Sequence, residues 1–172
     1  MELHFRISPR AVLPEAVVYL PTPIGKLYLA ADPDGLTAVT LTPGPEVATG
    51  HASREAFAIL EKAARELDEY FAGSRRVFDL PLSLGGTPFQ RSVWQSLCAI
   101  PYGETRSYAE VAAMTGRPKA CRAVGMANHN NPVMLLIPCH RVIQTGGGLG
   151  GYGGGLPAKQ YLLDLEAEIA RH

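Results

Sequence analysis

A chain of 172 residues with 47% hydrophobic content can bury the core of one domain or of two small ones, and none of its apolar runs approaches the roughly 18 residues that a membrane span requires. The opening MELHFRISPR has no apolar stretch after a basic start, so no secretory signal and a cytoplasmic location are expected. Net charge is zero, yet residues 1–85 carry 8 Lys+Arg against 11 Asp+Glu, or −3, and residues 86–172 carry 8 against 5, or +3. A half of +3 is compatible with nucleic acid but far from demanding it.

In chain order, AVVYL, GKLYLAA and LTAVTL read as short strands, with DPDG at Asp32 to Gly35 turning between the last two, so a small antiparallel sheet is expected. His51 falls in a Gly/Ala/Ser-rich connection and reads as an exposed loop residue. From Arg54 to Ala72, Phe57, Leu60, Ala64, Leu67 and Phe71 form one apolar helical stripe, and Gly73 stands where a C-terminal cap belongs. RVFDLPL suggests a further strand. The chain divides near Gly85 and Gly86.

Beyond that point TPFQ at Thr87 to Gln90 is a capping-box start, followed by Phe89, Val93, Leu97 and Ile100 on one helical face. SYAE at Ser107 to Glu110 repeats the pattern and opens a helix to about 115. A second, about 118–128, follows Gly116, giving helix-turn-helix geometry. Such pairs bind DNA or simply pack. On the second helix Ala120, Ala123, Val124 and Ala127 form the expected core face, while Cys121, Arg122 and Gly125 point outward with Met126 flanking. That outward face, small apart from one arginine, suits close approach either by another helix or by a duplex groove, the minor groove being only about 6 Å wide.

GGGLGGYGGG, Gly146 to Gly155, holds eight glycines in ten residues. Its GxGxxG match arises by chance at that glycine density, and a mobile lid or a close backbone approach to a ligand is the better use of such a loop. Pro157 starts a final helix through Lys159, Leu162, Leu165, Glu166 and Ile169. The expected fold is thus α/β (α+β): a small N-terminal antiparallel sheet plus helix over 1–85, then a mostly helical part over 86–172 with a helix-turn-helix and a short active-site strand.

Cys98, Cys121 and Cys139 are odd in number and lack CxxC or CxxH spacing, which argues against a disulfide framework and a cysteine-rich zinc site. Cys98 reads as a buried hydrophobe on its helix. Cys139 differs: it follows a strand-like VMLLI and the stiff Pro138, and His140 and Arg141 can both stabilise a thiolate. Adjacent residues on a strand face opposite ways, so spacing alone leaves open whether the thiol reacts.

IPCHRVI at Ile137 to Ile143 resembles the active-site signature of the O6-alkylguanine-DNA alkyltransferases, the methylated-DNA protein-cysteine methyltransferases. TPFQRSVWQSL, IPYGETRSYAEVA, GRPKACRAVGMANHNNP and GYGGGLPAKQYLLDLE follow that family's pattern in its order over about residues 87–166. The resemblance implies a single-turnover enzyme that flips an O6-alkylguanine, and also an O4-alkylthymine, out of double-stranded DNA through the minor groove and takes the alkyl group onto Cys139. It implies His140 as base acting through a water, Glu166 as the carboxylate orienting it, and Tyr108 as hydrogen-bond donor to the base. It further implies Arg122 filling the gap in the duplex, Asn131 at the hinge before the active-site strand, and Tyr152 and Gly153 in the lid. Cys121, Gly125, Arg141 and Val142 complete the expected contacts with substrate and DNA. Residues 1–85 would then be a support domain and 86–172 the DNA-binding and acceptor domain, in a monomer with no cofactor and no metal. Cys121 stands where alanine is common in the family, Gly153 where serine is frequent, and the N-terminal half lacks the cysteines that bind zinc in some members. A multiple-turnover cysteine hydrolase with the same Cys-His-Glu set, and a helix-turn-helix regulator without chemistry, are the rival readings.

Overall fold

The structure is a computed structural model and describes residues 13–47 and 52–172; His51 lies outside them. Two compact units part between Gly85 and Gly86.

The first unit is an antiparallel meander, β1 (Ala16–Thr22), β2 (Gly25–Asp32) and β3 (Gly35–Thr40), in the order β1-β2-β3, with helix α1 (Arg54–Phe71) packed on it. The middle strand is buried from Leu27 to Asp32, because it has a partner on each edge and the helix over one face. The DPDG turn closes as expected: Asp32 Oδ1 accepts from the backbone N–H groups of Asp34 (2.8 Å) and Gly35 (3.0 Å), the local side-chain bond that makes Asp a turn residue. Ser53 caps α1 by accepting from Ala56 N–H, and Gly73, at φ 79°, ends it.

Two expectations need correction here. The apolar stripe of α1 is rotated: Ala56, Leu60, Ala63, Leu67 and Tyr70 are buried, whereas Phe57 is 40% exposed. Two interleaved 3-4 rows share Leu60 and Leu67, and the row chosen by side-chain size is not the one that faces the sheet. RVFDLPL forms no regular strand either. Pro81 has no N–H to give a ladder, and only Leu82 pairs, with Leu36, through Leu36 N–H to Pro81 O and Ser83 N–H to Leu36 O at 2.9 Å each.

In the second unit, α2 (Pro88–Cys98) and α3 (Tyr108–Met114) both begin with complete capping boxes, Thr87 with Gln90 and Ser107 with Glu110. Helix α4 (Cys121–His129) packs against both. It starts three residues later than expected, since Pro118 and Lys119 form a turn closed by Ala120 N–H to Arg117 O. Its buried side is Val124, Ala127 and Asn128; Ala123, expected in the core, is exposed. Two short strands, β4 (Arg106–Ser107) and β5 (Val142–Ile143), pair in parallel, and α5 (Leu156–Ala170) closes the unit. No helix among the described residues is long and apolar enough to cross a membrane.

Candidate active site

Residues 133–137, expected as a strand leading to Cys139, instead make a tight loop whose Met134 and Ile137 pair with each other. Asn131 holds it: its Oδ1 accepts from Val133 N–H at 3.0 Å and its Nδ2 donates to Ile137 O at 2.8 Å. Leu135, at φ 75°, is the non-glycine residue with positive φ among the described residues, a strained backbone held by burial on every side. An apolar run buried all round has the composition of a buried strand, and the turn comes from the asparagine before it. Cys139, His140 and Arg141 form one 3-10 turn, so the cysteine and histidine lie on a helical rather than an alternating backbone.

The three residues of this turn are buried, at 5%, 0% and 8% exposure. His140 Nε2 meets Glu166 Oε1 at 2.7 Å, and Arg141 donates from Nε to Oε2 at 2.8 Å and from Nη2 to Oε1 at 3.0 Å. Arg141 Nη1 reaches Ile100 O at 2.8 Å, and Gly103 N–H reaches Glu166 Oε2 at 3.2 Å. Arg141, expected among the DNA contacts, is therefore turned inward as the partner of Glu166. Burial alone would push the Glu166 carboxyl up, but its hydrogen bonds and charge pairing with His140 and Arg141 prevail and hold it well below its ordinary 4.5. Burial lowers His140 below 6.5 against the pull of Glu166. A neutral imidazole whose Nε2–H is given to an ionised carboxylate leaves Nδ1 as its acceptor, and Nδ1 has no hydrogen-bond partner.

Burial raises the Cys139 thiol above its ordinary 9.0, opposed by a hydrogen bond from Asn131 and by the charge of Lys159. Lys159 is fully buried, and sequence reading passed over it as a helix residue. Its ammonium donates to the carbonyls of Val142 (2.6 Å), Leu149 and Gly151 (3.2 Å), fastening the glycine loop to β5. Burial brings its pKa down to about 8. No periodicity distinguishes such a lysine from a surface one; its place, i−7 from Glu166 on the inner face of α5, is the available signal.

Tyr108, Gly125, Tyr152 and Gly153 line a cavity of about 220 Å³ together with Asn128. Burial raises both tyrosine hydroxyls, Tyr152 strongly, and each feels the charge of Cys139. Gly150, at φ 70°, lies against Tyr108, where a Cβ would meet the ring at 3.0 Å. Arg122 is exposed on α4 with Met126, Cys121 is half-buried, and Gly125 has open space where a side chain would stand. The site therefore joins a buried thiol, a histidine–carboxylate pair and a cavity beside a helix whose outer face is small: the class of protein it defines carries out nucleophilic chemistry at a cysteine.

Comparison with known proteins makes this specific. Residues 88–168 match the model of the 6-O-methylguanine DNA methyltransferase DNA-binding domain, and residues 17–84 that of the ribonuclease-like domain of the same proteins. The methylated-DNA–protein-cysteine methyltransferase of Methanosarcina acetivorans is 48% identical over 148 residues, 84% of this chain and 94% of that one. The constitutive enzyme of Bacillus subtilis is 45% identical over 84% of this chain and 91% of its own. The crystal structure of Mycobacterium tuberculosis OGT in complex with DNA superposes with a TM-score of 0.78 at 44% identity, covering 88% of this chain and 92% of that one. The chain belongs to the 6-O-methylguanine DNA methyltransferase family.

Proposed function

We propose that this methylated-DNA–protein-cysteine methyltransferase repairs DNA by moving an alkyl group from the O6 position of guanine, and from O4 of thymine, onto Cys139 Sγ. The observation that carries the reading is the buried turn in which Cys139 precedes a histidine whose Nε2 is committed to Glu166 and whose Nδ1 is unpartnered. Nδ1 takes the thiol proton through an intervening water, with Glu166, itself held in place by Arg141, fixing the ring and stabilising the imidazolium. The thiolate attacks the alkyl carbon, the C–O6 bond breaks and its electron pair goes to the guanine, which takes up one proton as the His140 imidazolium gives up the one it had from the thiol, with the Tyr108 hydroxyl donating a hydrogen bond to the ring as charge develops. Sulfur becomes a thioether. No cofactor enters this balance, because the protein is itself the acceptor.

The base must leave the stack to reach a buried sulfur, at a cost of a few kcal/mol that is smaller for a weakened pair. Exposed Arg122, second residue of α4, suits the gap it leaves, and the small surface around Cys121, Ala123 and Gly125 suits a minor groove. Tyr152 and Gly153 close over the alkyl group. Residues 86–172 carry this machinery and residues 1–85 support it, in a monomer acting in the cytoplasm.

The test is the intact mass after mixing with a duplex containing one O6-methylguanine. One added methyl, found on the peptide carrying Cys139, is expected; unchanged protein, or methyl on another residue, overturns the assignment.

A further inference from the structure

The outer ridge of α4 carries a side chain that the chemistry at Cys139 does not use. Turned at about 100° per residue, Arg122, Met126 and His129 fall on one line along the helix. All three are exposed, Met126 to 60%. Beside that line Ala123 is exposed and Gly125 has open space where a side chain would stand. A lone apolar side chain on a surface means little. This one stands among basic and small residues: the sequence of α4 includes no carboxylate, and Arg117 and Lys119, in the turn before it, are exposed as well. An apolar tip between cations matches a surface that is apolar between anions. The minor groove of a duplex is such a surface, with deoxyribose C–H groups for walls and phosphates along both rims. Pairing with a second copy of the chain would instead set these cations against one another, because an isologous contact presents the same face twice and α4 has no carboxylate to receive them.

We propose that Met126 is an apolar wedge for the minor groove, its thioether packed against the deoxyribose walls one helical turn beyond Arg122. The step from Arg122 to Met126 is about 6 Å along the helix axis, close to two base-pair rises of about 3.4 Å each. With Arg122 in the gap left by the extruded nucleotide, Met126 fills the groove beside the neighbouring pairs and keeps them from closing on the gap. An unbranched thioether suits the task, since it adapts to the shape of the groove without reading its sequence. The inference rests on the alkylguanine-DNA reading above and adds to it a second, uncharged contact that grips the duplex independently of salt.

The test is equilibrium binding to a duplex carrying O6-methylguanine, followed by fluorescence anisotropy at several salt concentrations, in full-length protein in which Cys139→Ala prevents transfer. Adding Met126→Ala should weaken binding roughly threefold to tenfold, the range for partly covering an apolar side chain of this size. The slope of log affinity against log salt should stay as it was, because no phosphate contact is lost. Met126→Leu, which keeps an apolar side chain of similar size, should bind as the parent does. Unchanged affinity in Met126→Ala, a changed salt slope, or a loss in Met126→Leu equal to that in Met126→Ala each overturns the wedge. So does a monomer–dimer equilibrium, measured by sedimentation without DNA, that Met126→Ala abolishes, since the face would then belong to a second copy. If the unsubstituted protein takes no methyl from the same duplex, the function proposed above fails instead, and the binding series still decides whether Met126 holds DNA.

Discussion

Glu166 shows how one carboxylate serves two purposes. It is 1% exposed and meets His140, Arg141 and the Gly103 N–H, so every charge near it is paired. Removing one member of a buried ionic cluster strands the others: Glu166→Gln should cost about 3 kcal/mol in unfolding free energy, read by urea denaturation, and should slow transfer to Cys139. A change within about 0.5 kcal/mol would remove Glu166 from the structural core. The same groups set the acid limb of stability. His140 is depressed below 6.5 in the fold, so as pH falls through 6.5 the unfolded chain binds a proton that the native chain does not, and stability falls. Glu166 is depressed below 4.5, so its contribution is present above 4.5 and lost as pH falls below it. Unfolding midpoints followed against pH should decline in two stages, and in His140→Gln the slope between 6.5 and 4.5 should flatten; an unchanged slope would show that His140 is not held neutral.

At the scale of elements, α4 and the glycine loop both line the cavity. Arg122→Ala on α4 should weaken repair of duplex substrate while Cys139 still reacts with a free-base analogue, because the role proposed for the arginine is to fill the gap in the stack and not to take part in the chemistry. Equal losses on both substrates would place Arg122 elsewhere. Lys159→Met should leave three carbonyls unpartnered and release the loop from β5, costing about 1 to 3 kcal/mol. Amide exchange measured by mass spectrometry should quicken across Gly146–Gly155 more than across α2; uniform exchange would deny the lysine its local role. These elements also mark how far the residues alone could be read. Capping boxes named α2 and α3 because cap chemistry is local, and the Asp32 turn and the Gly73 helix end were legible for the same reason. Which row of α1 meets the sheet was not, because tertiary packing chose between two rows that share residues. The loop over 133–137 was hidden because burial on all sides erases periodicity. Cys139 and His140 stand out by their neighbours but take their roles from the resemblance, as does Glu166, which is 26 residues from His140 and joined to it only by the fold. Lys159 and Asn128 were missed, since their significance lies in burial and in the backbone carbonyls they hold.

At the scale of the whole molecule, the chemistry fixes how often the protein can act. A thioether is not opened by mild hydrolysis, whereas the thioester of a cysteine hydrolase is, and that difference separates the two uses of a Cys-His-Glu set. Within the chain neither other thiol can serve as a rescuer: Cys98 is pushed up to about 12 by burial and its sulfur faces the Leu136 carbonyl, and Cys121 is on α4. An alkyl thioether is in any case a poor target for a thiol. The product must also be housed where the sulfur stands, at 5% exposure between the Asn131 loop and α4, in a turn whose carbonyl is held by Asn128. Adding a methyl group to close-packed surroundings strains them by about 1 to 3 kcal/mol. Titration of a fixed amount of protein with excess methylated duplex should therefore stop at one methyl per chain, and the spent protein, freed of DNA, should melt at a lower temperature than the unreacted form. Cys139→Ala should take up none. Demethylation continuing past one equivalent without added cofactor would mean that water opens the intermediate, and the hydrolase reading would replace this one.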